Sequence, residues 1–303
     1  MSTILEHLKK NFKREDSLTK LIYINVGVFL FVKIIFVFFY LFNTEGLATP
    51  QLKEIFKDLI ISPFSIPVDI SILIKKPWSI ISYMFLHDRF MHLLFNMLLL
   101  YFGGQIFLSF FDNKKLLSTY ILGGISGAIL FIISFKLFPV FEPIQSISLL
   151  NGASASVLAI FIAIATKSPN YSVRLFFIGN IILKHIAVFF VLLNFLNIPY
   201  GNPGGCIAHL GGAFFGYLYV KQLNSGNDIA SGFNKIIDYL ATFFKSKPKL
   251  RKAYSRKKSD QDFRKEKVQA QAKIDKILDK IAKSGYEGLT KEEKDILFKA
   301  SKK

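Results

Sequence analysis

Four side chains in this sequence have the types and spacing for acyl-transfer chemistry. Ser154 stands in "NGASAS", at the head of an apolar run. His209 stands in "GGCIAHLGGAFFG". His92 and Asn96 lie four residues apart in "HDRFMHLLFNMLLLYFGG", so one helix face carries both. A serine hydroxyl is a weak nucleophile until an adjacent base takes its proton, and a histidine on another segment can do that. His92 and Asn96 can then supply donors for an oxyanion. Singly, each residue has a plainer role: a serine bonds back to its own helix, a histidine bridges helices, an asparagine joins two spans. The combination in apolar surroundings is what points to chemistry, because polar side chains inside a membrane bundle are rare and functional by default.

Those surroundings follow from composition. The chain has 303 residues, is 51% hydrophobic and contains 33 Phe. The apolar residues cluster into blocks near the length of about 20 residues that a hydrocarbon core demands. The blocks are 21–43, 90–111, 116–137, a shorter 152–166, a fifth within 173–198, and 206–220. Six spans put both termini on one side. Lys9, Lys10, Lys13, Arg14 and Lys20 precede the first block, Lys114 and Lys115 follow the second, and Lys167 and Arg174 follow the fourth. The stretch 194–205, read as the loop between blocks five and six, has no charge. The positive-inside rule then makes both termini cytoplasmic, with only the long first outer loop (Lys53, Lys57, Lys75, Lys76, Arg89) against it. No cleavable signal sequence is evident, since the first block has the length of a full span and no small-residue cleavage site follows it.

Block five contains Lys184 and His185. A single long span there would bury a charge near mid-membrane, which is costly. Breaking the block at Gly179-Asn180 predicts a short hairpin over 173–183 at the inner surface, with the fifth span starting near Lys184.

Small residues say whether Ser154 and His209 can meet. Ala155, Ala159 and Ala163 repeat every four residues in block four. Gly204, Ala208, Gly212 and Gly216 do so around block six. Such faces let helix backbones approach closely. Each face lies one residue from its candidate catalytic group, so packing them together places Ser154 and His209 beside one seam. Ser156, two residues on, points elsewhere.

These stretches resemble the rhomboid family of intramembrane serine proteases. The resemblance rests on "PWSIISYMFLHDRFMHLLFNMLLLYFGG", "GASA" and "AHLGGAFFG", and covers roughly residues 21–220. It implies an all-α membrane protein, a six-helix bundle over 21–222. A cytoplasmic segment over 1–20 precedes it, and a small helical cytoplasmic tail over 223–303 follows. It implies Ser154 as nucleophile and His209 as base, a dyad without an acidic third member, with His92 and Asn96 on the oxyanion side. Gly152 keeps the backbone open before the serine. His87 matches a structural position and Trp78 an interfacial one. Single-pass membrane proteins are the implied substrates, and a bacterial inner membrane the implied location. The sequence departs from the family at Ala155, where Gly is frequent, at Leu158, where some members carry an aromatic, and at Ser79, where Arg is frequent. The alternative is a proteolytically inactive relative that binds client membrane helices; such a protein would lose the serine or the histidine.

No cofactor and no metal is implied. The chain has no H-E-x-x-H motif, its five histidines include no pair four apart, and Cys206 alone makes neither a disulfide nor a thiolate site. A transporter would more often show internal repeats and mid-membrane charge.

The tail has its own pattern. Residues 231–245 place Phe233, Ile236, Ile237, Leu240, Phe243 and Phe244 at helical spacing, as an interfacial amphipathic helix would. "KSKPKLRKAYSRKK", 245–258, carries eight basic residues in fourteen. It reads as attraction to anionic headgroups or as a solvated linker that enforces orientation. The net charge of +18 comes largely from this tail and not from a nucleic-acid-binding surface, since no aromatic platform or nucleic-acid motif accompanies it. Ile274, Ile277, Leu278 and Ile281 predict a helix ended by Ser284-Gly285, and Thr290 with Glu293 predicts a capping box for a last short helix. The resulting hairpin resembles tails on rhomboids of the Bacteroidetes type.

Overall fold

The computed structural model describes residues 16–175, 179–244 and 260–300. Among them, each of the six apolar blocks yields a helix: α1 Ser17–Leu41, α2 Phe90–Phe110, α3 Asn113–Leu137, α4 Ser154–Lys167, α5 Leu183–Leu196 and α6 Pro203–Asn224. Helices α1 to α3 have 25, 21 and 25 residues and are long and apolar enough to cross a membrane. At 1.5 Å per residue they reach about 31–37 Å, against a hydrocarbon core of about 30 Å. Helices α4 and α5 have 14 residues each, or about 21 Å, too short to span alone.

The burial pattern explains why a short α4 is tolerated. Every residue from Ala155 to Ala165 is buried. The free ends of a helix can lie at membrane depth when protein, not lipid, surrounds them. The other helices therefore form the wall, and α4 stands inside it.

Polar groups fix the frame. Asn25 of α1 is fully buried, donating to Leu21 O at 2.8 Å and to the Tyr120 hydroxyl of α3 at 3.1 Å. Tyr120 passes its own proton to Met84 O at 3.2 Å, and Tyr83 donates to Gly124 O at 2.6 Å. Tyr83 and Met84 belong to the long connection between α1 and α2, which thus inserts into the bundle. That loop also pairs β1 (Ile66–Pro67) antiparallel with β2 (Leu149–Leu150), in register Ile66↔Leu150 and Pro67↔Leu149. The segment entering α4 is thereby hung on the first loop.

The break in block five appears, with its turn displaced. Strands β3 (Ser172–Leu175) and β4 (Gly179–Ile182) pair antiparallel, and α5 begins at Leu183. Gly179 and Asn180 are not the turn: they pair with Leu175 and Arg174. Gly179 has φ +87°, a conformation glycine adopts without strain, so the dipeptide marks the strand's first residues rather than the bend.

After α6, helix α7 (Ser231–Phe244) docks on the start of α3 through polar groups. Buried Asn234 accepts from the Ser118 hydroxyl at 2.5 Å, and Asp238 pairs with Lys114 at 2.5 Å. Phe233 packs against the core while Ile236 is exposed. The chain divides into two compact units between Phe244 and Lys245, downstream of the compositional boundary at 222, because α7 is held this way. The basic stretch 245–258 lies outside the described residues.

The second unit is the hairpin of α8 (Asp260–Ser284) and α9 (Lys291–Ala300), with Ile277 and Leu289 buried. Gly285 ends α8 at φ +72°. The capping box forms: Thr290 N–H donates to Glu293 at 2.8 Å and Glu293 N–H to Thr290 Oγ1 at 3.4 Å. The Thr290 N–H, helped by the Lys280 ammonium 2.9 Å away, holds the Glu293 carboxyl below its ordinary range.

Candidate active site

Ser154 is the first residue of α4, so the backbone N–H groups of the first turn have no helical acceptor. The approach to it is set by Gly152, whose N–H donates to Tyr83 O at 2.9 Å. Gly152 has φ +119°, and a side chain there would come within 2.7 Å of His92 Cε1. Both constraints demand glycine.

His209 lies in the second turn of α6, whose start is fixed by Pro203 and by Asn202, which accepts from Gly205 N–H at 3.1 Å. The expected seam brings it to Ser154. A Cβ on Gly212 would lie 2.1 Å from Ala155 O, and one on Gly216 2.2 Å from Ala159 O. Glycine at both positions lets α6 lie against the α4 backbone, and Gly127 of α3 closes on both Ala155 and the Ala208 carbonyl of α6. With the backbones this close, His209 Nε2 stands 2.5 Å from Ser154 Oγ.

His92 and Asn96 line the same cavity of about 270 Å³, with Ser154, His209, Leu158 and an apolar surround that includes Phe95, Phe161, Phe190 and Leu193. His92 also borders a second pocket of about 380 Å³, lined by Asp88, Arg89, Leu149, Asn151 and Asn202. It therefore stands between the apolar cavity and a polar approach. Asn96 is buried and donates to His87 Nε2 at 3.1 Å. His87 is buried as well, with its ring edge-on to His92 at 5.2 Å and its Nε2 3.5 Å from Ala153 N.

Two contributors escaped the sequence reading. Asn194 Oδ1 lies 2.5 Å from His209 Nδ1. It falls both in the uncharged stretch 194–205 and inside the fifth block, which runs to 198, and α5 continues through it to Leu196. The signal was present, since Asn194 is a polar residue among apolar helix formers. Lys33, inside the first apolar block, donates to Asp88 O at 2.8 Å and lies 5.2 Å from the Phe29 ring centre. It tethers the loop between His87 and His92.

Of the departures, Ala155 fills the seam beside Gly127, Leu158 faces the cavity, and Ser79 is fully buried with its hydroxyl on Lys76 O at 2.7 Å. Trp78 is half exposed and donates to Pro63 O at 2.9 Å. Ser156 is fully buried, with its hydroxyl turned toward Gly124 of α3 and away from the cavity. Among the described residues no cluster of potential metal ligands occurs.

Comparison with known families matches residues 75–224 to the Rhomboid domain and residues 257–303 to a family of unknown function (DUF6576). No curated protein matches the chain. The first match spans all four candidate site residues and the whole α4–α6 seam. The chain is an integral membrane protein of the rhomboid family, which comprises intramembrane proteases and inactive homologues.

Proposed function

We propose that this protein is an active intramembrane serine endopeptidase that cuts single-pass membrane proteins in or beside their membrane segment. The observation that carries the reading is the 2.5 Å contact between His209 Nε2 and Ser154 Oγ at a helix start inside the bundle. His209 takes the hydroxyl proton as Oγ attacks the peptide carbonyl carbon. The oxyanion is met by N–H groups of the first α4 turn, with His92 and the free N–H of Asn96 on the cavity wall. The C–N bond breaks, and His209 returns its proton to the leaving amine. Water, activated by the same nitrogen, then hydrolyses the ester and regenerates the serine. The pocket beside His92 is the natural water route, because polar groups line it and it shares His92 with the apolar cavity. That cavity suits an unwound stretch of a membrane helix, whose flanking side chains are apolar.

The same reading places both termini in the cytoplasm of a bacterial inner membrane, with the site opening outward. The test is fluorophosphonate labelling and cleavage of a single-pass test substrate in detergent. Ser154→Ala is expected to abolish both, and His209→Ala to cut turnover far more than His185→Ala. Cleavage persisting in Ser154→Ala would sink the assignment. A folded wild-type protein that neither labels nor cleaves would mark an inactive client-binding relative.

A further inference from the structure

We infer that Asn194 is a positioning residue that sets the tautomer and orientation of His209. The inference rests on the protease reading above and adds a third member to the dyad.

A neutral imidazole has one N–H, and only the Nδ1–H form leaves Nε2 free to accept the serine proton. The partner of Nδ1 therefore decides which form prevails. Asn194 lies 2.5 Å from that nitrogen. Its own orientation is fixed, because Nδ2 donates to Phe190 O at 2.8 Å, one turn back on α5. Flipping the amide would set oxygen against the Phe190 carbonyl, so Oδ1 is the atom that faces His209. An acceptor there demands a proton on Nδ1. The logic is that of the buried carboxylate in serine-protease triads, with a neutral amide in its place.

The helix that carries Asn194 gives the contact a second meaning. In α5 only Leu183 and Ala187 are buried, both in its first half. Beyond them Val188, Phe189, Leu192, Leu193, Phe195 and Leu196 are all exposed. Among the described residues, the Asn194–His209 bond is the polar contact that joins the far half of α5 to the bundle, beside the packing of Phe190 and Val191 on the core.

The test compares Asn194→Leu and Asn194→Asp with wild type, as full-length protein in detergent, on one single-pass test substrate. The leucine variant keeps the size and removes the acceptor. It is expected to lower kcat at least about tenfold, short of the ~10⁴-fold loss seen when a triad histidine takes the wrong tautomer. KM should change less than about twofold, since binding and transition state are hit unequally. The aspartate restores an acceptor and is expected to recover most of kcat. A purely structural role would move melting temperature and KM, and aspartate would not rescue it. The ¹⁵N shifts of His209, identified by their loss in His209→Gln, read the tautomer in the wild type without any change at Asn194. Protonated Nδ1 with bare Nε2 is expected. The opposite tautomer, or an Asn194→Leu enzyme with wild-type kcat, overturns the inference. Activity surviving in Ser154→Ala and His209→Ala would instead overturn the protease reading itself, so the two failures are distinguishable.

Discussion

The two flanks of α4 are built on opposite plans. Toward α6 the contact is backbone on backbone, with glycine at Gly212 and Gly216 and no room for a methyl group. Toward α5 it is an edge contact of Phe161 with Phe190, ring centres 5.6 Å apart, beside a cavity of about 270 Å³. The first flank fixes the Ser154–His209 distance; the second leaves space where a peptide segment can reach it. An enzyme that takes its substrate from the bilayer needs both, and here they lie on one helix less than one diameter apart. Asn194 connects them, since it sits on the loose side and holds the histidine of the tight one.

The strongest way to break this contrast is to put bulk into the seam. A Cβ at Gly212 or Gly216 meets a main-chain carbonyl, which cannot swing aside as a side chain does. Overpacking a filled core costs about 1–3 kcal/mol and sometimes more. Gly212→Leu is expected to yield protein that melts well below wild type, or none that survives extraction, with activity lost. Gly27→Leu on α1 is the matched control, because a side chain there has nothing within 4 Å. It should leave melting temperature and turnover near wild type. Equal damage from both would mean that the seam is not specially tight.

A smaller effect sharpens the loose side. Amide exchange follows local opening, which is easier where few side chains are buried. In detergent, amides of residues 189–196 are expected to exchange on the order of tenfold faster than those of 157–165, which are all buried. Equal protection would show α5 to be as firmly seated as α4.

How much of this was readable in advance depends on how local the signal is. The seam was legible because a small residue every fourth position is a property of each helix alone. Its meaning, that Ser154 and His209 meet, needed only that the two faces pair. The hairpin before α5 was legible from the cost of burying Lys184, although its bend was placed on Gly179-Asn180, which pair in the ladder. The β1–β2 pairing was not legible: two-residue strands separated by a long stretch of chain have no period to detect. Asn194 was missed for another reason. Asparagine near Pro199 and Gly201 reads as loop by propensity, whereas its contact with His209 is a tertiary one that the local sequence does not show. The polar docking of α7 through Asn234 was masked by its apolar residues, which suggested a helix lying on lipid.

The least effect is expected at Ser156, and it tests the tight flank from its far side. Ser156 is two residues from Ser154, so about 200° of helix rotation separates the two hydroxyls. Its side chain is fully buried, and its hydroxyl has no protein hydrogen-bond partner among the described residues. It faces α3 where Gly124 and Met84 close in. A buried hydroxyl without a partner keeps its desolvation cost and gains no bond in return. Alanine removes that cost and leaves a volume smaller than a methyl group. Ser156→Ala should therefore hold turnover within about twofold of wild type and change stability by no more than about 1 kcal/mol, toward the stable side if at all. Measured beside Ser154→Ala, it separates a serine needed for its hydroxyl from a serine tolerated for its size. A dead but well-folded Ser156→Ala would mean that the hydroxyl on the α3 side takes part after all, and that α4 presents two working faces rather than one.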